Sequence, residues 1–131
     1  MQFTLLNSVR QISYGANDRE VEAVISLVGE SERSLFSAWK SKANTTLSVE
    51  DAKAIAEALK KVIFLLIEKV NASPLPRLHQ KTFLEHKIPF SFIYEEDSLL
   101  NFCHSLYIIM LDFVQDNEDI AISFDGENYS A

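Results

Sequence analysis

The sequence predicts a helix-rich α+β fold: a single domain over residues 1–131, with two long core helices at about 48–70 and 98–115 and a small antiparallel sheet. Three observations predict it. Apolar residues recur at helical spacing through both long segments; short runs rich in β-branched and aromatic residues sit toward the two ends; and the clearest break, "NASPLPR", has high apolar density on both sides. A chain of 131 residues buries about two-thirds of its unfolded surface, enough for one core without covalent staples. With 47% hydrophobic and 24% charged residues, the composition excludes a disordered chain.

The helix at 48–70 is marked at both ends. Ser48 followed by Asp51 resembles a capping box in which the shorter Asp replaces Glu or Gln, so a weakened reciprocal bond is expected. Glu50 and Asp51 lie at the positive end of the helix dipole and Lys69 near its negative end. Ala52, Ile55, Ala56, Leu59, Val62, Ile63, Leu66 and Val70 form one apolar stripe, while Lys53, Glu57, Lys60 and Lys61 face away. Beyond Lys61 the run "VIFLLI" is apolar all round, which predicts cover on several sides.

The helix at 98–115 is apolar enough for its polar residues to be the informative ones. Asn101, His104, Ser105, Asp112 and Gln115 fall on one narrow stripe with Ile108 filling the gap. The remaining face, including Leu100, Phe102, Cys103, Leu106, Tyr107, Met110 and Phe113, is expected to pack on the first long helix.

Val21, Val24, Ile25 and Val28 have helical spacing and continue loosely through Leu35, Phe36 and Trp39. Asn17 or Asp18 is the candidate cap, and Gly29 and Ser31 divide the region into two helices. Reading 21–28 as a strand would put Val24 and Val28 on the polar side. Strand candidates are "FTLL" and "RQISY" near the start, "PFSFIY" at 89–94 and "IAISF" at 120–124. The last is followed by Asp125 and Gly126, a favoured hairpin dipeptide, with 127–130 as a return strand.

The chemistry-bearing residues read mostly as structure. Cys103 and His104 diverge by about 100° on a helix, so they form no dyad. Asp112 lies about 12 Å along the axis from His104, beyond hydrogen-bond reach. A buried, inert thiol is the expectation for Cys103. His79 and His86, seven apart beside Glu85, lack the tight spacing of a helical metal pair and read as part of a solvated basic segment with Arg77, Lys81 and Lys87. An EF-hand starting at Asp116 fails, because Ala121 stands where the loop demands Gly. No phosphate-cradling or nucleophile-elbow motif occurs, so no cofactor or metal is expected.

One cysteine permits no internal disulfide, in keeping with a reducing compartment. The start "MQFTLLNSVRQ" has no secretory pattern, and the apolar run at 62–67 falls far short of the roughly 20 residues that cross a bilayer. The expectation is a cytoplasmic protein with no membrane partner. A net charge of −7 argues against nucleic acid.

Charge distribution is the feature above background. Residues 1–47 carry five acids and five bases, 48–94 carry five acids and seven bases, and 95–131 carry nine acids and no base. Such a segment can be helix-end and turn chemistry, or it can pair with the basic segment at 77–87. As a functional surface it would attract a basic protein partner, by complementary fields that raise the association rate. The candidate contacts are Glu95, Glu96, Asp97, Asp116, Glu118, Asp119, Asp125 and Glu127, with Tyr94 and Tyr129 as aromatic anchors. The leading expectation is an inhibitory binding protein of the bacterial toxin-immunity kind. The alternatives are a small enzyme or ligand-binding protein with a pocket along the His104 and Asp112 edge, and a regulatory subunit that self-associates.

Overall fold

Short alternating runs build the sheet. In the computed structural model, which describes the backbone of residues 1–71 and 98–124 and the side chains of 1–66 and 99–124, β1 is Gln2–Leu6 and β2 is Gln11–Gly15. They form an antiparallel hairpin in which Phe3 faces Tyr14 and Leu5 faces Ile12. With β3 (Thr45–Leu47) and β4 (Ile120–Phe124) they make a four-stranded antiparallel sheet in the order β2-β1-β4-β3. The period-two pleat sends Phe3, Leu5, Ile120 and Ile122 from the two central strands to one face, none more than 1% exposed. The opposite face is small and uncharged: Thr4 lies between Ser13 and Ser123, and its hydroxyl is 2.9 Å from that of Ser13.

The helices cover the apolar face. Helix α1 (Asp18–Leu27) starts at Asn17, whose side chain accepts from the Arg19 amide at 2.9 Å while Glu20 accepts from the Asn17 amide at 3.2 Å. The strand alternative for 21–28 is therefore overturned, and Val21 and Val24 are buried as helical spacing requires. A 3-10 helix, Glu30–Phe36, follows Gly29 and leads directly into α2 (Ser37–Ser41). Lys42, at φ 55°, ends α2 in the left-handed region.

Helix α3 is Val49–Asn71 and α4 is Ser98–Asp116, within a residue or so of the expected bounds. The Ser48–Asp51 box closes in both directions: Ser48 Oγ accepts from the Asp51 amide at 3.0 Å and the Asp51 carboxylate accepts from the Ser48 amide at 3.2 Å. Ile55, Leu59 and Ile63 are fully buried, each contributing about 1.5–3 kcal/mol by leaving water. One expectation fails here. Leu65 remains 46% exposed, because it lies one turn on from Lys61 and two from Glu57, on the solvent side of the helix. Along α4, Leu100, Phe102, Cys103, Leu106, Tyr107, Met110 and Phe113 are buried, and among the described residues α3 and α4 pack along each other more extensively than any other two elements. Burial pushes the Tyr107 hydroxyl above its usual pKa, assisted by the negative charge of Glu57.

An aromatic cluster ties helices to sheet. Trp39 meets Phe3 edge-on at 5.7 Å and Phe124 at 6.5 Å, and Tyr14 lies 5.9 Å from Phe102 of α4. The protein is thus a helix-rich α+β domain, and among the described residues no helix is long and apolar enough to cross a membrane. The break at Pro74 and Pro76, His79 and His86, the strand expected at 89–94, and the hairpin at Asp125 and Gly126 lie outside the described residues.

Candidate protein-binding surface

The β1–β2 turn and the α4–β4 turn meet at one end of the sheet. Asn7 organises the first turn: its amide donates to the Arg10 carbonyl at 3.0 Å, and its Oδ1 accepts from the amides of Val9 and Arg10, both at 2.8 Å. That leaves Asn7 Nδ2 to donate to Asp116 Oδ2 at 2.9 Å. In the second turn Asn117 adopts φ 55°, a left-handed conformation that asparagine tolerates better than most residues, and its amide donates to the Val114 carbonyl at 3.1 Å. The chain can then reverse from α4 into β4 within three residues.

Arg10 joins the two turns. Its Nε donates to Asp116 Oδ2 at 2.6 Å and its Nη2 to Asp116 Oδ1 at 2.7 Å, a bidentate fork, while Nη1 lies 3.9 Å from Asp112. The guanidinium also sits 6.0 Å from the centre of the buried Phe113 ring. Hydrogen bonds from Arg10, then from Asn7, outweigh the burial of Asp116 and hold its carboxyl below the usual aspartate range. The same bond raises Arg10 further above its already high value.

This geometry corrects one sequence-based expectation. Asp116, a candidate partner contact, has a side chain only 7% exposed and is committed to Arg10 and Asn7, so its role is to fix the corner. Glu118 is half-buried and takes the Ser8 hydroxyl, 2.6 Å from each of its carboxylate oxygens, with the Ser8 amide at 3.3 Å from Oε1. Asp119 is exposed and makes no hydrogen bond or ion pair among the described residues. Glu95, Glu96, Asp97, Asp125, Glu127, Tyr94 and Tyr129 lie outside those residues.

Two residues of the corner escaped sequence reasoning. Val9, at the tip of the hairpin, is 61% exposed, and Leu6 at the end of β1 is 45% exposed. The signal was present in "LLNSVRQ", where a valine occupies a turn that polar residues ordinarily fill. The described corner therefore combines two apolar side chains with four carboxylates, Asp112, Asp116, Glu118 and Asp119, and a single cation, Arg10.

The other expected site has different standing. Cys103 is fully buried beside half-buried His104, and His104 and Asp112 line neither of the two cavities described, which lie against α1. Among the described residues no three His, Cys, Asp or Glu side chains cluster to hold a metal ion. No protein-family model, curated protein or solved structure matches the chain.

Proposed function

We propose that this chain is a cytoplasmic inhibitory protein that docks a basic protein partner through the Leu6–Val9–Glu118–Asp119 corner, acting as a bacterial toxin-immunity protein does. The observation that carries this reading is Val9: a 61% exposed aliphatic side chain on a turn held by Asn7 and braced by the Arg10–Asp116 fork. A side chain already fixed in place loses little conformational freedom on binding, so more of its contact energy remains as affinity. Burying Val9 in a partner's pocket yields on the order of 1 kcal/mol, with Leu6 adding a similar amount. Glu118 and Asp119 supply the charged rim that steers a cationic surface onto the apolar centre. Apart from Asp112 and Asp116, which face Arg10, the remaining acids of 95–131 belong to the same reading, since that third of the chain contains no Lys or Arg of its own.

The test is a paired capture from the native cell, using the full chain and its Val9→Ser/Glu118→Lys/Asp119→Lys variant as baits. The reading expects a protein of high isoelectric point retained by the unaltered chain at low salt and lost from the variant. Retention of the same proteins by both baits, or an acidic partner, refutes it.

A further inference from the structure

Beside the start of β1, at the far end of that strand from the acidic corner, a cleft of about 550 Å³ opens between α1 and α2. Val21 and Ile25 of α1 and Trp39 of α2 give it apolar walls. Its charged groups are Arg33, Lys40, Lys42 and the Met1 ammonium against Asp18 and Glu22, a local excess of positive charge on a chain whose side chains sum to −7. Asp18 is already engaged, 3.0 Å from Lys42 Nζ and 3.7 Å from the Met1 ammonium, and this pairing with Lys42 holds its carboxyl below the usual range. Arg33 and Lys40 make no ion pair among the described residues.

Trp39 forms the inner wall of the cleft. It is 1% exposed, and its indole N–H is the one buried side-chain donor among the described residues with no hydrogen-bond partner. Phe3, Phe36 and Phe124 grip the ring at 5.7, 5.9 and 6.5 Å, so it cannot swing out to find an acceptor. The cleft is of the size that small ligands occupy, with apolar walls and a few convergent polar groups.

We propose that this cleft binds a small organic anion, a carboxylate on a compact apolar or aromatic body. Arg33 and Lys40 hold the carboxylate, and Val21, Ile25 and the edge of the Trp39 ring flank the body. The local excess of positive charge favours an anion over a neutral molecule of the same shape. The site shares no residue with the acidic corner, so it stands or falls separately from the partner-binding reading.

Trp39 is the only tryptophan, so its indole resonance is a single reporter at the wall of this cleft. The full chain is titrated with benzoate, with benzyl alcohol as the neutral counterpart and acetate as the anion without a body, following the indole 1H–15N signal. Saturable displacement by benzoate is expected, with benzyl alcohol and acetate each about tenfold weaker or more, since each lacks half of the recognition. Arg33→Gln/Lys40→Gln should weaken benzoate by about tenfold or more, whereas Lys53→Gln/Lys60→Gln, which removes the same charge elsewhere, and Glu118→Lys/Asp119→Lys should not. Absence of a saturable indole shift, equal affinity for benzyl alcohol, or an unchanged affinity in Arg33→Gln/Lys40→Gln overturns the proposal.

Discussion

At the Leu6 end of β1 the single cation, Arg10, is locked between Asp116 and Asp112 and stacked near Phe113, whereas at the Met1 end Arg33 and Lys40 extend without an ion pair among the described residues. The polar groups of the first end are satisfied by one another, and what it offers outward is Val9, Leu6 and the carboxylate of Asp119. The second end leaves two exposed cations without an ion pair among the described residues beside a cleft. Internal satisfaction makes a rigid surface suited to a macromolecular partner, because pre-ordered contacts lose less entropy on docking. Unpaired charge beside an apolar concavity marks a place where a ligand of opposite charge can bind.

This contrast can be broken by mutation, and the largest effect should come from the core beneath the first end. Phe113→Ala removes a fully buried ring that also supports Arg10, and should cost about 3–5 kcal/mol of stability in urea unfolding. Next comes a direct comparison of the two ends. Arg10→Ala strands a carboxylate that is 7% exposed and should lower the melting temperature clearly, whereas Lys40→Ala should stay within about 0.5 kcal/mol of the unaltered chain. In a double-mutant cycle, Arg10→Ala and Asp116→Ala together should cost less than the two single effects added. Equal losses at Arg10 and Lys40, or an additive cycle, would erase the distinction.

A third effect is visible only against pH. Because Arg10 and Asn7 depress the pKa of Asp116, the stability it contributes is fully present above the unfolded-state value of about 3.9 and is lost as pH falls through the lower folded-state value. The advantage of the unaltered chain over Asp116→Asn should therefore be constant near neutrality and shrink on acidification below about pH 4. A gap that stays constant down to about pH 2 would show that the fork is not coupled to folding. The smallest effect on stability belongs to Val9→Ser, within about 0.5 kcal/mol because the side chain is exposed, and yet it should weaken partner binding measurably.

The long helices were legible because their evidence is local: apolar spacing and the Ser48–Asp51 cap sit within the segments they define. Strand β3 was not, since three residues acquire strand geometry only by pairing with β4, more than 70 positions away. The same separation hid the role of Asp116. Its partner Arg10 stands 106 residues earlier, and a charge tally along the chain cannot show which carboxylates the fold neutralises. Glu118 and Asp119 were legible as acids, but the apolar centre they border was signalled only by the valine in "LLNSVRQ", whose exposure follows from the hairpin. The cleft was invisible for a similar reason: Arg33, Lys40 and Trp39 look like surface charges and a core ring until α1, α2 and β1 bring them together.

The partner-binding reading is tested most directly by the association rate between the full chain and the basic protein it captures, measured by stopped flow over an ionic-strength series for the unaltered chain and for Glu118→Lys/Asp119→Lys. The account predicts that the variant associates about tenfold more slowly or worse at low salt and that the two curves converge as screening shortens the Debye length. Curves that superimpose at every ionic strength would contradict it.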